Sequence, residues 1–82
     1  MNYFLYILKS NIHQKSYTGI TNNLDRRLAE HNSGKNFYTK RHCPWVMIYK
    51  EKYDSLKEAR NREKYLKSAS GRKFLKELFK KQ

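Results

Sequence analysis

Tyr17-Thr-Gly-Ile-Thr-Asn-Asn-Leu-Asp-Arg-Arg-Leu-Ala-Glu-His31 is the stretch that decides how this chain folds. It reads as a short strand ending at Gly19, a capping turn and one amphipathic helix. Helical spacing of i, i+3, i+4 and i+7 from Leu24 selects Arg27, Leu28 and His31, so a guanidinium and an imidazole share the core-facing side with two leucines. A cation turned towards a core costs free energy unless an anion meets it or its stem snorkels past the rim. Both readings of Arg27 are open at this point. Thr21 or Asn22 can cap the helix, Asp25 lies near its positive end, and Asn32-Ser33-Gly34 stops it.

Upstream, Tyr3-Phe-Leu-Tyr-Ile-Leu8 is an unbroken apolar and aromatic run, which predicts a central strand covered on both faces. Asn11 to Lys15 forms a polar loop, and Ser16 to Ile20 returns as the second strand of a hairpin. With Lys9 opposite Ser16, Tyr6 falls opposite Gly19, and Tyr6 and Tyr17 share a sheet face. Gly19 leaves room on that face for a ligand or for close backbone approach.

Downstream, residues 35–44 show no clean period and mix cations with rings: Lys35, Phe37, Tyr38, Lys40, Arg41 and His42. This is a surface loop. Its composition suits a nucleic-acid groove through Lys35, Lys40 and Arg41, and equally a solvated loop with a few tucked aromatics. Trp45-Val-Met-Ile-Tyr49 makes a third strand opened by Pro44. Asp54 or Ser55 caps a second helix with Ser55-x-x-Glu58 as a capping box, and Leu56, Ala59 and Leu66 form its inward stripe. Glu63 falls on that same stripe. Ser68-Ala-Ser-Gly71 breaks the helix, and Phe74, Leu75, Leu78 and Phe79 define a third. The order is β-β-α-β-α-α in a single domain spanning 1–82.

The composition limits the possible functions. A chain of 82 residues has room for one small core. A net charge of +12, spread from Lys9 to Lys81, describes a folded body with a positive surface suited to a polyphosphate backbone. The last helix partly fits a membrane-surface helix, but so small a domain needs its four large apolar residues for the core. Cys43 is the one cysteine, which excludes an intramolecular disulfide and a multi-cysteine zinc site. His13 and His42 lack a second ligand at metal spacing and read as surface loop residues. There is no export signal, and Tyr3 to Leu8 is too short to span a bilayer, so a cytoplasmic location is expected.

Arg27, His31 and Glu63 are ionisable groups on inward helix stripes, and Tyr6 and Tyr17 lie on the sheet between them. Arg27 and Glu63 could simply pair as a buried salt bridge. The functional reading is a phosphodiesterase site. Such a site needs an arginine on the phosphoryl oxygens, a carboxylate-held metal at the leaving oxygen and an acceptor for the proton of water. The acids are too isolated for a two-metal nuclease, and a single divalent ion fits the inventory better.

At these residues the chain resembles the GIY-YIG nuclease superfamily. Phe4-Leu-Tyr6 and Tyr17-Thr-Gly19 stand for its paired signature, with Phe4 for Gly, Leu5 for Ile and Thr18 for the second Ile. Arg27, His31 and Glu58-Ala-x-x-x-Glu63 follow at the superfamily's later motifs. Tyr17 to Asn32 is similar throughout to the small single-domain bacterial members. Ile20 stands where the DNA-repair incision enzymes of the superfamily carry lysine, and their late asparagine has no counterpart after Glu63.

The resemblance implies a three-stranded antiparallel sheet flanked by helices, with Tyr6, Tyr17, Arg27 and Glu63 on one concave face. It also implies a single Mg²⁺ or Mn²⁺ on Glu63 and the scissile phosphate on Arg27. One of the two tyrosines would position or deprotonate the water while the other orders the shell, and His31 would assist proton transfer or bind phosphate. The expected activity is a structure- or lesion-directed DNA endonuclease acting on branched or damaged DNA, with RNA not excluded. The alternative is a non-catalytic nucleic-acid-binding module, RNA- or ribosome-associated.

Overall fold

The computed structural model describes residues 2–81. Its elements are β1 (Tyr3–Ser10), β2 (Ser16–Thr21), α1 (Leu24–Asn32), a short 3-10 turn (Thr39–His42), β3 (Trp45–Tyr53), α2 (Leu56–Leu66) and α3 (Ala69–Lys80). The three strands form one antiparallel sheet in the order β2-β1-β3. The apolar run is central, as expected, with Leu5, Tyr6, Ile7 and Leu8 all buried.

Alternation along β1 sends its side chains into two different layers. Leu5 and Ile7 pack with Leu66 of α2 and with Phe74, Leu75, Leu78 and Phe79 of α3. These α3 residues are half-buried and pack against the core, and among the described residues no helix is long and apolar enough to cross a membrane. Tyr6 and Leu8 point the other way, to Trp45, Tyr17 and the α1 residues Leu24 and Leu28. Each fully buried aliphatic side chain contributes about 1.5–3 kcal/mol. The hairpin register is the expected one: Lys9 pairs with Ser16 and Tyr6 with Gly19.

Four local expectations are corrected. The cap of α1 is Asn23, whose side chain accepts the Arg26 N–H at 3.0 Å. Thr21 instead ties the preceding turn, its hydroxyl accepting from the Asn23 N–H at 3.1 Å. Strand β3 continues past Tyr49 to Tyr53, because Glu51 accepts hydrogen bonds from the Tyr49 and Tyr53 phenols and from Arg62 Nε of α2.

Burial pushes the Glu51 carboxyl up, but those donors outweigh it and hold the group below the usual carboxylate range. Burial and the adjacent carboxylate push Tyr53 up to about 12. Gly71 lies inside the first turn of α3 rather than in the break, because a side chain there would run into the backbone of Tyr65 and Leu66. Ser55 caps α2 as expected, but Leu56 is exposed and leaves Ala59 and Leu66 as its buried stripe.

Candidate active site

Helix α1 presents Arg27 and His31 one turn apart to the Tyr6 face of the sheet. Tyr6 is 1 % exposed and His31 0 %. The Tyr6 hydroxyl lies 3.0 Å from His31 Nε2 and accepts from Arg27 Nε at 3.2 Å. His31 Nδ1 lies 2.8 Å from the hydroxyl of Thr39, which is itself fully buried. Arg27 polarises the Tyr6 oxygen and makes its proton a better donor. That directs the proton to His31 Nε2 and leaves Nδ1–H for Thr39.

Tyr17 completes the cluster on the exposed side. Its ring centroid is 6.2 Å from that of Tyr6 and 4.7 Å from that of His31. Gly19 permits this packing, since a Cβ there would come within 2.5 Å of the Tyr6 hydroxyl.

Electrostatics follow from these contacts. Burial raises the Tyr6 pKa, and the Arg27 bond only partly offsets it. Burial and then the Arg27 charge lower His31, so the imidazole is neutral near pH 7. The Tyr6 bond, with a second from Glu30, holds the Arg27 guanidinium firmly protonated. Arg27 thus neither snorkels free nor pairs with Glu63. Its anion is Glu30, at 3.2 Å.

Glu63 is tied to Lys67 at 3.3 Å. Its charge still reaches the site, since it contributes to raising Tyr6. Its side chain is 24 % exposed and its lysine partner is largely in solvent, so the carboxylate can change partners. Among the described residues no three His, Cys, Asp or Glu side chains converge. A half-exposed carboxylate with no second acid beside it among the described residues fits a hard divalent ion that keeps most of its waters.

Two hollows flank the cluster. One, of about 340 Å³, is lined on the Arg27 side by residues including Tyr3, Ile20, Arg26 and Arg60. The other, of about 540 Å³, is lined on the Tyr17 side by residues including Tyr38, Lys67 and Arg72. Lys35, Lys40 and Arg41 are exposed on the 35–44 loop, with the cations of Lys40 and Arg41 each 5.1 Å from the exposed Phe37 ring.

The structure thus brings Tyr6, Tyr17, Gly19, Arg27 and His31 together and leaves Glu63 adjacent but unbonded to them. Burial also keeps His31 from direct contact with phosphate. His13 and His42 are not independent loop residues, because their Nδ1 atoms approach to 3.0 Å. Thr39 and Glu30 join the cluster without having been singled out from the sequence. Glu30 stands at i+3 from Arg27, a spacing that could have named it. Thr39 lies in an aperiodic loop with no such signal.

A central strand and a helix that join two phenols, a guanidinium and an imidazole on one sheet face define a GIY-YIG domain. The chain belongs to that family, since the model of the GIY-YIG catalytic domain matches residues 2–77. It is 40 % identical over 75 residues to a UPF0213 protein of Staphylococcus haemolyticus, covering 90 % of each chain. It is 37 % identical over 79 residues to the UPF0213 protein YazA of Bacillus subtilis, covering 95 % of this chain and 77 % of that one. Among solved structures it is similar to the solution NMR structure of a UPF0213 protein from Bacillus halodurans. That match has TM-score 0.56 and 33 % identity, and covers 95 % of this chain and 85 % of the other.

Proposed function

We propose that this protein is a metal-dependent DNA endonuclease that hydrolyses phosphodiesters at a structural feature or lesion rather than at a fixed sequence. The observation that carries the reading is the meeting of Arg27 and His31 on the Tyr6 hydroxyl, beside the more accessible Tyr17, between two hollows edged with arginine and lysine. A net charge of +12 supports an anionic polymer as substrate.

In this reading the scissile phosphate docks on Arg27, whose fork neutralises charge growing on the phosphoryl oxygens. Tyr17, half-buried and the more accessible of the two phenols, positions the attacking water, and takes its proton as the phenolate, having first lost its own proton to solvent. Tyr6 is too buried to meet that water. It holds Arg27 in place, backed by His31 and Thr39. Glu63 would hold one Mg²⁺ or Mn²⁺, and that ion would supply positive charge at the leaving oxygen. Arg26, Arg60, Lys67 and Arg72 track the flanking backbone, and Lys35, Lys40 and Arg41 extend the positive surface. The cations named in this reading meet phosphates rather than base edges, so the selectivity they give comes from substrate shape.

The alternative, a nucleic-acid-binding module without catalysis, draws on the Glu63–Lys67 pair, which occupies the one acid assigned to the ion. Nicking of supercoiled and branched DNA with Mg²⁺ or Mn²⁺ separates the two readings. Wild type should nick, and Arg27→Ala and Glu63→Ala should each lose about 10²–10³-fold. Equal residual activity in all three proteins marks contamination and overturns the nuclease reading. Salt-dependent binding with no cleavage establishes the alternative.

A further inference from the structure

The hollow on the Tyr17 side has the chemistry of a nucleotide subsite. It is an open hollow of about 540 Å³, a wall for a nucleotide to lie against rather than a cavity that encloses one. One part of its lining is aromatic, Tyr17 and Tyr38, with ring centroids 6.3 Å apart. The rest includes two cations from the α2–α3 region, Lys67 and Arg72. A ring and cations framing one hollow match a base face and its phosphate.

Tyr38 is 48 % exposed, yet its backbone is firmly held. The Asn36 side chain accepts from the Tyr38 and Thr39 N–H groups at 3.0 and 3.1 Å, and the Asn36 carbonyl accepts from Lys40 N–H at 3.0 Å. The next residue, Thr39, reaches His31 through its hydroxyl and accepts the Trp45 indole N–H at its carbonyl, both at 2.8 Å. The turn that carries the exposed ring is therefore fixed to the cluster itself. A ring carried on an already fixed backbone has less conformational freedom to lose when a base stacks on it. A base inside a duplex keeps both faces against its neighbours, whereas an unpaired base has a face to offer. Among the described residues the Lys67 side chain is held only by its exposed pair with Glu63, so an incoming phosphate can draw it away and free that carboxylate.

We propose that this hollow takes an unpaired nucleotide next to the scissile phosphate, its base on Tyr38 and its phosphate between Lys67 and Arg72. The substrate class is then DNA with a single-stranded segment at the cut. The position relative to the cut rests on the nuclease reading, but the binding preference does not.

Fluorescence anisotropy without divalent ions tests the preference, comparing a labelled blunt hairpin, its loop replaced by a non-nucleotide linker, with the same hairpin carrying a single-stranded tail. Wild type should bind the tailed form at least about fivefold more tightly, from the stacking of one base. Tyr38→Ala should abolish that preference without changing blunt-hairpin affinity, Tyr38→Trp should keep it, and Arg72→Ala should weaken tailed binding and flatten its salt dependence. Equal wild-type affinity for the two hairpins, or equal weakening of both by Tyr38→Ala, overturns the proposal. Tail preference with no cleavage under Mg²⁺ or Mn²⁺ overturns the nuclease reading and leaves the subsite standing. Cleavage of both hairpins alike, unaffected by Tyr38→Ala, does the reverse.

Discussion

Gly19→Ala is the smallest change that tests the geometry of the cluster. A Cβ at Gly19 would stand 2.5 Å from the Tyr6 hydroxyl oxygen, 2.7 Å from its Cζ and 3.0 Å from Tyr17 Cε1. Ordinary carbon contacts are about 3.5–4.0 Å, so the Tyr6 ring must retreat by roughly 1 Å. Tyr6 is buried, and its oxygen is already committed to Arg27 at 3.2 Å and His31 at 3.0 Å, so retreat breaks at least one of these bonds.

Overpacking costs about 1–3 kcal/mol and a lost hydrogen bond about 1 kcal/mol. The reduced chain entropy of alanine offsets about 0.5–1 kcal/mol. The net loss is about 1–3 kcal/mol, a fall in melting temperature of roughly 5–20 °C for a chain of this length. Nicking should fall further than folding does, by about 10²-fold, because a 1 Å misplacement acts directly on the reacting geometry. Thermal unfolding by circular dichroism and nicking of supercoiled DNA at a temperature where the variant is folded measure the two effects. In a Tyr6→Leu background the same glycine substitution should be neutral or stabilising. An unchanged or raised melting temperature with full nicking in the wild-type background would refute the close approach and the role assigned to Tyr6.

Three further outcomes are expected. The Asn32 side chain accepts the Trp45 N–H at 2.6 Å and donates to the Trp45 carbonyl at 3.1 Å, so Asn32→Ala should cost about 1–3 kcal/mol in urea unfolding. Burial and Arg27 depress His31 in the folded protein, so the unfolded chain binds the proton first. Stability is then fully present above the unfolded pKa of about 6.5 and declines as pH falls through it. In a His42→Ala background, which removes a second depressed histidine, adding His31→Gln should flatten the melting temperature between about pH 8 and pH 5. Finally, His31→Leu alone should cost about 1–3 kcal/mol by leaving the Tyr6 O–H and the Thr39 hydroxyl without their histidine partner, whereas Tyr6→Phe, His31→Leu and Thr39→Val together should recover most of that loss, the half-exposed Arg27 guanidinium turning to solvent, while nicking is lost. A triple variant less stable than the single one would show that the network is there for the fold.

Where side-chain period coincided with burial, the sequence could be read directly. The run from Tyr3 to Leu8 named the central strand, and a short loop left little freedom in register, so the Tyr6–Gly19 pairing followed. Arg27 and His31 stood out because polar groups broke an apolar helical stripe. Strand β3 escaped beyond Tyr49 because Lys50-Glu51-Lys52 carries no apolar alternation. Its buried face is held by a carboxylate shared among two phenols and a guanidinium. Glu51 is accordingly more enclosed than Glu63, the acid that spacing singled out, with side chains 17 % and 24 % exposed. Gly71 looked like a breaker because glycine often is one. Here it serves the close approach of α3 to the last turn of α2, a tertiary contact with no local signature.

Arg27 shows why the site opens where it does. Full burial of its charge would cost more than the bonds to Tyr6 and Glu30 return, so the guanidinium stays at the rim with its side chain 32 % exposed. One edge of the fork faces inward and is fixed by Tyr6, which His31 and Thr39 hold from behind. The other edge meets Glu30, an equally half-exposed partner at i+3 whose pairing is worth at most about 1 kcal/mol. A phosphate offers the same fork two oxygens and a bidentate bond, and so can displace Glu30 without disturbing the inner half. On the proposed reading, the carboxylate holds Arg27 in the free protein in an orientation that a phosphodiester can take over. The buried side of the network supplies rigidity, and the exposed pair supplies exchange.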